Sequence, residues 1–219
     1  MRKLIILLII FNSCNLFALD VKDKIAKTPK TILPFECIRT APWSNPNYAL
    51  DLEDLKLPVY IYEDLGLTCK TSYKNDGEIF RRFETNNSYE LLALKIGSSD
   101  PGLGILVTFT KDGKVIDHIE SEVYFCLDKR LYISQYRIDK DMNIIVTHLQ
   151  INSQTAIPFD KSFSSIQAQR IDTYYRVDSS GKFQQIKQVK FKPEFYTPEY
   201  LKDENKNLWE GKEVLENKE

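Results

Sequence analysis

The chain has 219 residues, with 30 Lys and Arg against 31 Asp and Glu and a net charge of −1. The basic residues are scattered along it. That excludes nucleic acid as the main partner, because phosphate binding needs a concentrated positive footprint.

The N-terminus is the most informative stretch. Arg2 and Lys3 precede an unbroken apolar run, Leu4 to Phe11, followed by a more polar stretch to Ala18. This is the pattern of a secretory signal over residues 1–18, too short to span a bilayer permanently. Two ends fit it. Ala18 is the small residue that a general signal peptidase requires, with Leu16 two before it. Ser13-Cys14 instead resembles the end of a bacterial lipobox, which would make Cys14 a lipidated N-terminus, the only membrane contact expected. Losing residues 1–18 removes Arg2, Lys3 and no acid, leaving a charge of −3. About 200 residues remain, a length that one domain fills with a proper core.

An exported chain meets oxidising conditions, so its cysteines are candidates for pairing. The expected disulfide is Cys37–Cys69, which would add roughly 3–4 kcal/mol through the unfolded state. Cys126, in the apolar run Val123 to Leu127, reads as a buried thiol. There is no CxxC and no His/Cys cluster at zinc spacing, so no metal or other cofactor is expected.

Residues 19–47 read as a polar, irregular segment: a Lys-rich flexible or short helical spacer to Ile32, then turns broken by Pro34, Pro42 and Pro46. One globular domain is expected over 48–210. Leu50 to Leu55 suggests a helical turn. Leu57 to Tyr62 suggests a short strand with Pro58 at its start or on an edge. Glu78 to Phe83 suggests a short helix with Asp76 as its N-cap.

From residue 89 the chain turns rich in β-branched and aromatic residues. Tyr89–Ile96, Gly104–Thr110, Lys114–Phe125, Leu131–Asp139, Met142–Ile151, Ile166–Val177 and Lys182–Lys192 read as consecutive antiparallel strands. Asp112-Gly113 signals a two-residue hairpin loop, which would set Phe109 opposite Ile116 and Val107 opposite His118. Tyr136-Arg137-Ile138-Asp139 recurs as Tyr175-Arg176-Val177-Asp178, and Gly113-Lys114-Val115 as Gly181-Lys182-Phe183. Three related hairpins, near residues 112, 141 and 180, follow from this. Thr197-Pro198-Glu199 starts a short C-terminal helix, with Leu201, Leu208 and Trp209 as the stripe that docks it on the sheet. Residues 211–219 form a charged tail. The fold class is mainly β (α+β): a meander of six to seven antiparallel strands with an irregular N-terminal part.

Chemical motifs are sparse. His118 and His148 both fall in strands, and Asp117 points away from its neighbour His118. No Gly-x-Ser-x-Gly is present. Asp139, Asp141 and Asn143 open like a calcium loop, but Ile144 replaces the required glycine and Gln150 the bidentate Glu. The Gly-rich Gly97–Gly104 leads into a strand, not a helix, and Asn86-Asn87-Ser88 is a glycosylation sequon that matters only in a eukaryotic host. Lys182, Lys187, Lys190 and Lys192 read as a solvated strand face. Tyr132, Tyr136, Tyr174 and Tyr175 are candidate binding aromatics for a protein or carbohydrate partner.

With no nucleophile motif, metal cluster or cofactor loop, the leading expectation is a non-enzymatic binding or interaction protein, exported to the cell envelope as a periplasmic or extracellular protein. The rivals are a hydrolase built from Asp117, Glu120, Glu122 and Asp128, and an immunity or inhibitor protein with an acidic patch.

Overall fold

A computed structural model describes residues 21–37, 49–51, 76–85, 88–96, 103–127, 130–151, 164–202 and 206–210. The fold is mainly β. Its strands are β1 (Lys30–Thr31), β2 (Phe35–Glu36), β3 (Ala49–Asp51), β4 (Asp76–Phe83), β5 (Tyr89–Ile96), β6 (Leu103–Thr110), β7 (Val115–Leu127), β8 (Arg130–Ile138), β9 (Ile144–Ile151), β10 (Ile166–Val177), β11 (Phe183–Lys190) and β12 (Glu194–Tyr196), followed by the helix α1 (Pro198–Lys202). The hydrogen-bonded order is β1-β4-β5-β6-β7-β8-β9-β10-β11, with β3 on β4, β2 on β8 and β12 on β10. β1 runs parallel to β4, and the other pairings are antiparallel. The expected meander is there, and β5 and β10 start and stop where their composition says.

The 78–83 stretch is a strand, not a helix, and Asp76 is its first residue rather than a cap. Ile79 and Phe83 are both buried, and their spacing of four imitates a helical face. A bulge between Ile79 and Arg81 sends the two to different faces of the sheet, Ile79 opposite Leu94 and Phe83 opposite Leu91. Both faces of β5 and β6 are buried, so Leu91 to Leu94 and Ile105 to Val107 read as continuous apolar runs. Leu50 belongs to β3, pairing with Gly77, instead of opening a helical turn. Leu57–Tyr62 lies outside the described residues. Residues 21–27 are helical, with Val21 and Ile25 buried.

β7 joins two halves. Its first part pairs with β6, and its last five residues pair with β8. The halves bury one core between them: Phe83, Leu91, Ala93 and Leu106 meet Tyr136, Ile138, Ile144 and Val146. The Phe35 ring sits 5.2 Å from Phe83 and 5.7 Å from Tyr136, so β2 closes one side. Two polar stitches tie the β10–β11 hairpin to the other half. Thr108 Oγ1 donates to the Gly181 carbonyl. The Phe183 amide donates to Asp117 Oδ2 at 2.9 Å.

The C-terminal segment covers the outer face of the second half. Tyr196, Leu201 and Leu208 are buried with Ile133, Leu149, Ile166 and Ala168, and Trp209 packs beside them, so the helix docks as expected. Thr197 caps α1: its Oγ1 accepts the Tyr200 amide at 3.3 Å.

Candidate functional site

Because the meander alternates direction, the β4–β5, β6–β7, β8–β9 and β10–β11 turns all fall at one end of the sheet. The last three share one geometry. The amides of Thr110, Asp139 and Asp178 donate to the carbonyls of Lys114, Asn143 and Lys182, and their own carbonyls accept from Gly113, Met142 and Gly181. Those three residues have φ of 82°, 62° and 90°. Each loop therefore has three residues, ending in a left-handed one, where two were expected at Asp112-Gly113. Between Thr108 and Phe109 the register shifts, so Phe109 faces Val115 and not Ile116, while Val107 faces His118 as expected. The side-chain oxygen of each leading residue also caps the amide four positions on: Thr110 Oγ1 to Lys114 at 3.1 Å, Asp139 Oδ1 to Asn143 at 2.9 Å, and Asp178 Oδ1 to Lys182 at 3.0 Å.

A cleft of about 550 Å³ opens at this end. Ile32 and Leu33 wall it from the β1–β2 link, Glu84 and Tyr89 from the β4–β5 turn, Lys140 to Met142 from the β8–β9 turn, and Arg176 and Val177 from the end of β10. Its floor is the core itself, since Leu33, Met142 and Val177 pack against the central cluster. The rim carries both signs of charge. Glu84 is held by Lys30 at 3.0 Å, and the Arg176 Nε donates to Asn143 Oδ1 at 3.0 Å. Ile32 is 82% exposed, an open apolar side chain at the mouth.

Among the described residues, those singled out from the sequence do not assemble elsewhere. Tyr136 is 1% exposed and belongs to the core, so it is no contact aromatic. Tyr174 and Tyr175 are half-buried, the first with Lys187 Nζ 4.3 Å from its ring centre. Tyr132 is in β8, with its side chain outside the described residues. The histidines sit apart, His118 across from Val107 and His148 between Ser134 and Ile171. Burial lowers the pKa of both. Asp117 opposes this at His118, and Asp172 at His148.

Asp117 and Glu120 face Thr108 and Ile105, which alternate to opposite faces of β6, so they are not a carboxylate pair. Both Asp117 oxygens are spent on backbone amides, of His118 and Phe183. Desolvation raises the Glu120 carboxyl, and the Tyr175 hydroxyl is raised by burial and by that neighbouring charge. The Glu122 side chain and Asp128 lie outside the described residues. Asp139 takes amides from Asp141 and Asn143 and the Asn143 side chain, which fills the carboxylate with the turn's own donors. Among the described residues no group of three His, Cys, Asp or Glu could hold a metal ion.

Cys37 is fully buried. Cys14, Cys69, most of the Gly97–Gly104 loop and the Asn86-Asn87 pair lie outside the described residues. None of the binding aromatics expected from the sequence lines the cleft. A signal for Met142 existed: it stands where the two sister turns carry glycine. No protein-family model, no curated protein and no solved structure matches this chain.

Proposed function

We propose that this is an exported binding protein of the cell envelope that takes a segment of a partner protein into the loop-end cleft. The signal-like residues 1–18 support export, and Cys14 is the candidate anchor. The segment expected is an apolar side chain flanked by charge, matching an apolar floor inside a rim of Glu84, Lys140, Asp141 and Arg176.

One observation carries this reading. Met142 occupies a left-handed position, at φ 62°, where Gly113 and Gly181 serve the equivalent turns. A side chain there costs about 1–2 kcal/mol. Strain of this kind concentrates at working surfaces, and here the strained residue lines the cleft.

The test is a photo-crosslinking amino acid placed at Ile32 in the native host, with the exposed Gln167 as the remote control. A discrete crosslinked partner at 32 and none at 167 is expected. Met142→Gly relieves the backbone and gives up the side chain's packing against the core, two opposed effects, so it should still fold while losing the crosslink. No adduct at 32, or an adduct that survives Met142→Gly, refutes the assignment.

A further inference from the structure

We propose that the outer edge of β11 accepts an acidic, extended segment of a partner protein as an added strand, at a surface separate from the cleft and independent of it. β11 ends the sheet. The opposite edge, on β4, is blunted by β1 with two residues and β3 with three. Among the described residues no strand pairs with the outer side of the eight-residue β11, and Gln184 to Gln188 and Lys190 are all exposed. An open edge of that length is a template for another strand.

The direction of its hydrogen-bonding groups follows from the ladder. Phe191 donates to the Arg170 carbonyl at 2.9 Å. By the alternation of an antiparallel pair, Gln188 and Lys190 then turn their amides and carbonyls away from β10. The usable edge is bounded: the Phe183 amide is already taken by Asp117, and Pro193 follows the strand. The register shift at Tyr174/Tyr175 leaves Ile186 unpaired and 55% exposed, an apolar contact beside the edge.

Charge selects the occupant. Lys182, Lys187, Lys190 and Lys192 lie on or beside this strand, and residues 182–193 contain no acid. A second copy pairing here would set lysine against lysine, which disfavours self-association. An acidic strand gains the same set of charges as cross-strand partners.

The probe is a synthetic ten-residue peptide alternating Glu and Val, titrated into the isotope-labelled full chain, with a Gln/Val peptide as control. Amide shifts confined to residues 185–190 are expected from the acidic peptide and not from the control. Lys187→Glu with Lys190→Glu should weaken binding by about tenfold or more. Gln188→Pro should abolish it while the β10 ladder stays intact, because that amide faces outward. Three outcomes overturn the proposal: no shifts at millimolar peptide, equal binding of a DNA duplex or anionic phospholipid vesicles, or a β11-dependent dimer in sedimentation.

Discussion

The two faces of β8, β9 and β10 are buried by different means. On the inner face Tyr136, Ile138, Ile144 and Val146 lie against the other half of the sheet, and apolar area does the work. On the outer face the centre is ionic. Asp172, 1% exposed, accepts from Arg170 Nε at 2.9 Å and Nη2 at 2.6 Å, from Thr147 Oγ1 at 2.8 Å and from Arg137 Nη2 at 3.3 Å. Arg170 Nη1 then reaches the Trp209 carbonyl at 2.9 Å. Gln135 accepts the Leu208 amide at 2.8 Å and donates to the Cys37 carbonyl at 3.2 Å. These bonds tie down two distant pieces of chain, β2 beside β8 in the sheet and residues 206–210 on the outer face. Apolar burial is non-directional, whereas aimed hydrogen bonds fix which segment sits where.

Removing the hub should give the largest effect. Asp172→Ala leaves Arg170, 4% exposed, as a buried charge without its carboxylate. The expected cost is about 3–5 kcal/mol in urea unfolding, enough to loosen the 206–210 segment to hydrogen exchange. Replacing Arg137, Arg170 and Asp172 together with Met, Met and Leu should recover most of that stability, since a well-packed apolar set often equals a buried ion cluster. A cost under about 1 kcal/mol for Asp172→Ala would erase the distinction between the faces.

Gly181→Ala comes next, at about 1–2 kcal/mol for a φ of 90°. The added Cβ would meet Ile116 Cδ1 at 2.7 Å, but that atom is the far end of a flexible side chain and can swing aside. A larger loss would mean that the Thr108–Gly181 stitch between the halves had also broken. On the inner face, Ile138→Val should cost about 0.5–1.5 kcal/mol. That small, graded response is what burial by area predicts, in contrast to the single-residue dependence of the outer face.

The inner face and the apolar part of the outer one were legible in the sequence, the ionic centre of the outer face was not, and the reason is physical. Strand periodicity reports apolar faces, so the meander, its hairpins and the burial of Leu201 and Leu208 could be read from residue pattern. Arg137, Arg170 and Asp172 look like solvent-facing residues until the tail covers them: its apolar stripe announces that it docks, but nothing local says that it docks over these three. A bulge changes parity invisibly, which is why Phe109 was set against Ile116. The cleft was hidden for a related reason. Its walls come from four separate stretches of chain, and only Met142, breaking the glycine pattern of its sister turns, left a trace.

The same contrast between aimed polar groups and area recurs at the loop end, where pH can separate three otherwise equivalent turns. In the third, Asp178 is held at about 2 by the Ser180 hydroxyl and the amides of Lys182 and Ser180, all of which favour the charged form. In the second, burial alone would raise Asp139, but hydrogen bonds from Asn143 and Asp141 outweigh it and leave the carboxyl below its ordinary value. A folded-state pKa below the unfolded one gives stability that is present above about 4 and is lost as pH falls through the folded value. The Ser180 and Lys182 amide shifts should therefore titrate with a midpoint near 2. Those of Asp141 and Asn143 should follow their own carboxylate below 3.8. The first turn is capped by the Thr110 hydroxyl, so the Lys114 amide should stay flat across the range. A midpoint at the unperturbed value for Ser180 would mean that the carboxylate cap does not form in solution. A matching titration at Lys114 would mean that the turns respond to global unfolding rather than to their own caps.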